Sequence, residues 1–246
     1  MSIDGVTDFW DELFGAQPDP PGLLVLVTAL LAFTVVSARR LWRIARNAVT
    51  IAHEGGHALA ALLTGRRLRG IRLEFDTSGL TLSAGRPSGP GMVFTLMAGY
   101  VAPSLVGLAG AWILGGNRIT LLLWLAAVSL LLMLINIRNL FGIVSVVITG
   151  AIVLAVSWYT TPEVQAAFAY TGVWFLLIGG VRPVSELQRL RRRGRMRDSD
   201  ADQLGRLTRT GGLFWVGFFY LATLAVLVIG TFMLAGRFLD ELPSAG

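Results

Sequence analysis

Cysteine is absent from all 246 residues. That excludes a disulfide framework and any thiolate metal site. Lysine is absent too, so the 21 basic residues are all arginine; we read this as a coding preference. Charge is scarce, at 15% of residues against roughly a quarter in a soluble domain. The charges are also clustered, which leaves long uncharged runs. With 54% hydrophobic residues and a mean hydropathy of +0.66, an ordinary soluble domain is excluded and a polytopic membrane protein is indicated. A formal net charge of +6 would suggest nucleic acid in a soluble chain. In a membrane chain, arginine-rich cytoplasmic loops account for it, so the lipid bilayer is the expected partner and nucleic acid is not.

Residues 1–21 form an acidic tail in which Phe9, Trp10 and Phe14 suit a short interfacial helix. No basic residue precedes the apolar run at 22–38, so that run reads as a retained membrane segment rather than a secretory signal. Further runs at 48–64, 91–115, 119–135, 143–158, 164–181 and 213–234 predict an all-α polytopic membrane protein with six to seven transmembrane helices. They belong to a single domain over 22–236, with a basic cytoplasmic loop at 182–210 and a C-terminal tail at 237–246. Gly99, Pro103, Gly107 and Gly110 give the 91–115 run a small-residue face for close helix packing. If every run spans, Arg39, Arg40, Arg43 and Arg46 fall on the side opposite the other basic loops, against the positive-inside rule. One stretch has a period of two: Ile71, Leu73 and Phe75 alternate with Arg72 and Glu74, and Leu80 with Leu82 after turn residues. It predicts a short β-hairpin following the 48–64 segment.

Histidine occurs twice, and both copies lie in that segment, as His53-Glu54-Gly55-Gly56-His57. On a helix, positions i and i+4 share a face, so both imidazoles can reach one ion. Glu54 is rotated by about 100° from His53 and can touch water on that ion without ligating it. This is the H-E-x-x-H pattern of zinc peptidases, at membrane depth, where ionisable residues mark a functional site by default. Zn2+ is the expected cofactor and Glu54 the expected general base. The bland alternative is a polar helix-packing cluster, which has no need of this spacing. Gly55 and Gly56 weaken a helix; their expected use is to admit a substrate backbone or a neighbouring helix.

A third ligand is needed, and with no other histidine or cysteine the candidates are Asp76, Glu186, Asp198, Asp200, Asp202, Asn136 and Asn139. Each has an ordinary reading. Asp76 suits a turn, residues 199–204 suit a helix N-terminus with a capping-box acid, and the asparagines suit a helix break. The hairpin reads either as a solvated loop or as an edge strand that holds an extended peptide. The arginine run from 189 to 197 reads first as a positive-inside determinant and second as a site for anionic lipid head groups.

His-Glu-Gly-Gly-His-Ala through Thr64-Gly65, then Gly79-Leu80-Thr81, Gly99-Tyr100-Val101-Ala102-Pro103, Arg138-Asn139-Leu140-Phe141-Gly142 and the 199–208 segment resemble the site-2 protease superfamily. The closest likeness is to its compact M50B-like branch. The resemblance implies hydrolysis of peptide bonds in membrane-embedded or membrane-adjacent segments, such as an anti-sigma factor remnant or a signal peptide, in a bacterial cell membrane. It implies His53 and His57 as zinc ligands and Glu54 as base. Site-2 proteases usually take their third ligand from an L-D-G motif, and here Phe141 stands where that aspartate would be. The other acidic motif of the branch points to Asp200 instead, and the hairpin positions Gly79, Leu80 and Thr81 become the substrate strand. The missing L-D-G aspartate also leaves a second reading: an inactive membrane binding or regulatory protein that keeps the protease fold.

Overall fold

In the computed structural model, residues 13–75, 78–194 and 198–240 are described, with side chains to 236. Phe9, Trp10, Asp76, Arg195, Arg197 and most of the C-terminal tail lie outside them. Helix α1 (Gly22–Ser37) meets α2 (Arg39–Leu63) at a 102° bend. Strands β1 (Arg67–Leu73) and β2 (Gly79–Ala84) follow, then α3 (Pro90–Gly115), α4 (Ile119–Leu134), α5 (Leu140–Tyr159), α6 (Pro162–Gly179), α7 (Val181–Arg192), α8 (Asp200–Thr208) and α9 (Gly212–Asp240).

The protein is thus mostly helical, with one small sheet. Four of its helical stretches are long and apolar enough to cross a membrane: α3, α5, α6 running into α7, and Gly212–Gly236 of α9. The α1–α2 pair makes a fifth if counted as one broken span. The expected six to seven counted α1 and the histidine-bearing run as separate crossings and took the 119–135 run as a full one. By length and composition the structure supports four or five: α1 and α2 pass only together, as a bent pair, and α4 has only 16 residues, about 24 Å at 1.5 Å per residue, short of a hydrocarbon core of about 30 Å.

The bend also bears on the arginines of α2. It brings the opening turns of α2 against α7, the other arginine-rich helix. Buried Trp42 packs on Phe175 of α6 (centroids 6.1 Å apart) and donates its indole N–H to Glu186 at 2.9 Å. Arg46 lies 3.4 Å from Glu186, and Arg182 stacks 4.7 Å over the Trp42 ring. The expected loop at 182–210 is largely two helices, α7 and α8. Their charge density conceals short apolar stripes, Val184 and Leu187 on α7 and Ala201 and Leu204 on α8, which are buried against Leu96, Val216 and Phe219 of α3 and α9.

The hairpin pairs antiparallel, with Leu73 opposite Gly79 and Ile71 opposite Thr81, and an irregularity between Leu68 and Gly70. Ile71 and Leu73 are buried beneath it with Ile51, Ala58, Ile137 and Val146. The 136–139 segment runs along the far side of β1: Ile71 N–H donates to Asn136 O at 2.8 Å and Arg138 N–H to Ile71 O at 2.9 Å. Asn139 completes this edge, donating from Nδ2 to Leu73 O (2.7 Å) and accepting from Leu73 N–H at Oδ1 (3.2 Å). Among the described residues, the outer edge of β2 pairs with no strand.

Candidate metal centre

Helix α2 presents His53 and His57 to α3, with their Nε2 atoms 3.1 Å apart. The helices can approach because small residues meet: a side chain at Gly56 would overlap Ala102, so Gly56 has the helix-packing use expected of it. Gly55 faces open space. Gly99 of α3 lies directly opposite the imidazoles, and a Cβ there would overlap Nε2 of both. Thr95 supplies the next contact. Its carbonyl accepts from Nδ1 of His57 at 2.7 Å, which fixes the tautomer and turns the Nε2 lone pair inward. Tyr100 sets its ring edge-on to His53 at 4.8 Å and stacks on Phe219 of α9. Pro103 deprives the Gly99 carbonyl of its usual helical partner one turn later. Gly99→Ala, whose methyl would push on both Nε2 atoms, is therefore expected to weaken zinc binding by at least about 10–100-fold with every ligand residue still present. Competition with a chromophoric chelator measures it, and unchanged affinity would show that α3 does not set the imidazole positions.

Asp200 comes from the far end of the chain. It is the first residue of α8, and the cap there is made by its neighbours. The Ser199 hydroxyl accepts from Asp202 N–H, and the Asp202 carboxylate accepts from Ser199 N–H. Arg191 of α7 pairs with Asp202, tying this helix start to α7. The expected capping box is thus present, formed by Ser199 and Asp202, and the Asp200 carboxylate is left over. Its Oδ2 lies 3.3 Å from His57 Nε2 and 3.5 Å from His53 Nε2. Burial alone would push this carboxyl up; the two imidazoles outweigh that and hold it well below the usual carboxylate range.

The three donor atoms form a triangle with sides of 3.1, 3.3 and 3.5 Å. A tetrahedral zinc site with bonds of about 2.0–2.1 Å separates its ligand atoms by about 3.3 Å. Two imidazole nitrogens and one carboxylate oxygen also form a donor set suited to catalytic zinc, one that keeps a fourth position open. The residues present fit that ion.

Glu54 is buried, at 3% exposure, on the neighbouring strip of α2. Thr81 of β2 donates its hydroxyl to Glu54 Oε2 at 2.6 Å and lies 3.2 Å from the Glu54 carbonyl. Gly79 lies so close that a side chain there would overlap the Glu54 carboxylate. Two of the three positions expected to form a substrate strand, Gly79 and Thr81, therefore touch the expected base. Leu80 between them is half exposed.

Among the described residues, the other candidate carboxylates and amides are engaged elsewhere. Glu186 is held by Trp42, Arg46 and Arg182. Asp198 pairs with Arg206, and Asp202 with Arg191 and Ser199. Asn139 is spent on β1, and Asn136 donates to Leu132 O at 3.1 Å. Phe141, in the place of the usual L-D-G aspartate, packs edge-on against Phe75 at 5.6 Å. Sequence reasoning missed the Thr95 carbonyl, the Tyr100 ring and the hold of Thr81 on Glu54. A backbone carbonyl leaves no side-chain signature; Gly99-Tyr100 was visible only as part of a packing face.

Long apolar helices around a His-His-Asp group that could hold a metal ion fit an integral membrane protein of the metallopeptidase type. The chain belongs to the peptidase M50B-like family, whose model matches residues 26–230, and so to the site-2 protease superfamily. Neither the curated proteins nor the solved structures give a match to it.

Proposed function

We propose that the protein is an intramembrane zinc endopeptidase of a bacterial cell membrane, cleaving membrane-embedded or membrane-adjacent peptide segments. His53, His57 and Asp200 hold the ion. Zinc so held supplies Lewis acidity, acidifying water and polarising a peptide carbonyl. Glu54 takes the proton from the attacking water and passes it to the leaving amine. Thr81 fixes the Oε2 side of that carboxylate, which leaves Oε1 to move the proton. The free edge of β2 accepts an extended peptide along Gly79, Leu80 and Thr81, by main-chain hydrogen bonds from the alternate residues that face away from β1. Opening a substrate helix into such a strand frees its peptide bonds for attack.

The observation that carries this reading is the Asp200 carboxylate within 3.5 Å of both imidazole Nε2 atoms, in a chain of a peptidase family. The non-catalytic reading drew its support from the missing L-D-G aspartate, and in the reading proposed here a carboxylate from α8 takes that role. The test is cleavage of a fluorogenic transmembrane reporter by the full chain in lipid vesicles. Cleavage that stops with a chelator and returns with zinc is expected. A protein that binds zinc stoichiometrically and cleaves no panel of such reporters would favour the binding protein.

A further inference from the structure

Between α7 and the opening turns of α9 lies an open groove of about 500 Å³ that the metal centre does not use. Its α7 wall is Ser185, Gln188, Arg189 and Arg192, one stripe of that helix; its α9 wall is Leu213, Val216, Gly217 and Tyr220, apolar but for the Tyr220 hydroxyl, with Leu213 and Gly217 four residues apart on one face. A cationic stripe therefore faces an apolar one, and neither satisfies the other. Arg191 is committed to Asp202, whereas Arg189 and Arg192 make no ion pair among the described residues. The buried Gln188 Oε1 also has no hydrogen-bond partner. Nothing lies within 4 Å of where a Gly217 side chain would start.

Depth in the membrane points to the occupant. Helices α6 and α7 run together for 31 residues, about 46 Å, against a hydrocarbon core of about 30 Å. The charges are gathered at the α7 end, with Arg189, Arg191 and Arg192 in its last turn, so the excess length places that end at head-group level or beyond. The α9 stripe leads from there into the span. A solvated anion would answer the guanidiniums and leave the apolar wall bare. An anionic amphiphile answers both.

We propose that this groove binds an anionic phospholipid, with its phosphate between Arg189 and Arg192 and an acyl chain along Leu213 and Gly217. None of these residues belongs to the metal centre, so the proposal stands or falls apart from the peptidase reading. The test is native mass spectrometry of the full chain in detergent, titrated with dioctanoyl phosphatidylglycerol, dioctanoyl phosphatidylcholine or inorganic phosphate. Phosphatidylglycerol is expected to bind, and the other two are not at the same concentration. The double variant R189Q/R192Q is expected to bind it about ten- to thirty-fold more weakly, at roughly a factor of five per arginine. R39Q/R40Q, which removes the same charge from exposed arginines of α2, should leave binding unchanged. Gly217→Leu starts a side chain in open space, strengthens the helix and extends into the groove; it should weaken lipid binding with both arginines in place. The proposal is overturned if wild type does not bind phosphatidylglycerol or binds phosphate equally well. Equal losses in the two double variants, or lipid binding by Gly217→Leu at the wild-type level, would also overturn it.

Discussion

Glu54→Gln is expected to retain zinc and lose turnover by about 10²–10⁴-fold, the usual contribution of a positioned general base. The substitution keeps the size and buried position of the side chain. Its amide oxygen can still accept from the Thr81 hydroxyl, 2.6 Å from Oε2 in the native side chain, so the contact between α2 and β2 survives. What is lost is the only atom on this strip of α2 that can take a proton. Metal content by mass spectrometry and single-turnover cleavage of the vesicle reporter measure the two halves separately. A variant that cleaves as fast as wild type would place the base elsewhere. A variant that loses zinc would make Glu54 a structural support of the site.

Asp200→Ala is expected to weaken zinc binding by about 100-fold or more, beyond the 10–100-fold that disturbing an outer support costs. Two imidazoles alone leave the ion half coordinated, and among the described residues no other acid joins the cluster. The neighbouring Asp202→Ala separates ligation from scaffolding. It removes the capping-box partner of Ser199 and the Arg191 pair, an effect on α8 of about 1 kcal/mol. It should therefore disturb zinc affinity by about tenfold at most. Equal losses in the two variants would mean that Asp200 acts only through the position of α8.

The parts of this arrangement that are local in sequence were legible there. Two histidines four apart on an apolar helix have to share a face, and alternation from Ile71 to Leu82 had to make a hairpin. The bent α1–α2 pair was not legible, because hydropathy measures how apolar a run is and carries no information on direction. Residues 182–210 were mistaken for a loop because the apolar stripes of α7 and α8 are only two or three residues each. The third member of the cluster was the hardest to find. A carboxylate more than a hundred residues away is chosen by packing, and in the sequence Asp200 has the same local signature as its capping neighbour Asp202. Only the resemblance set it apart from the other acids, and that distinction was a matter of motif rather than of geometry.

The central claim is that His53, His57 and Asp200 hold one zinc ion beside Glu54. Zinc-edge X-ray absorption on the loaded full chain tests it most directly. The expected shell has about four light ligands at roughly 2.0–2.1 Å, with multiple-scattering features of two imidazoles, and it loses an oxygen in Asp200→Ala. A protein that takes up no stoichiometric zinc, or a shell with fewer than two imidazoles, or one unchanged by Asp200→Ala, would contradict the claim.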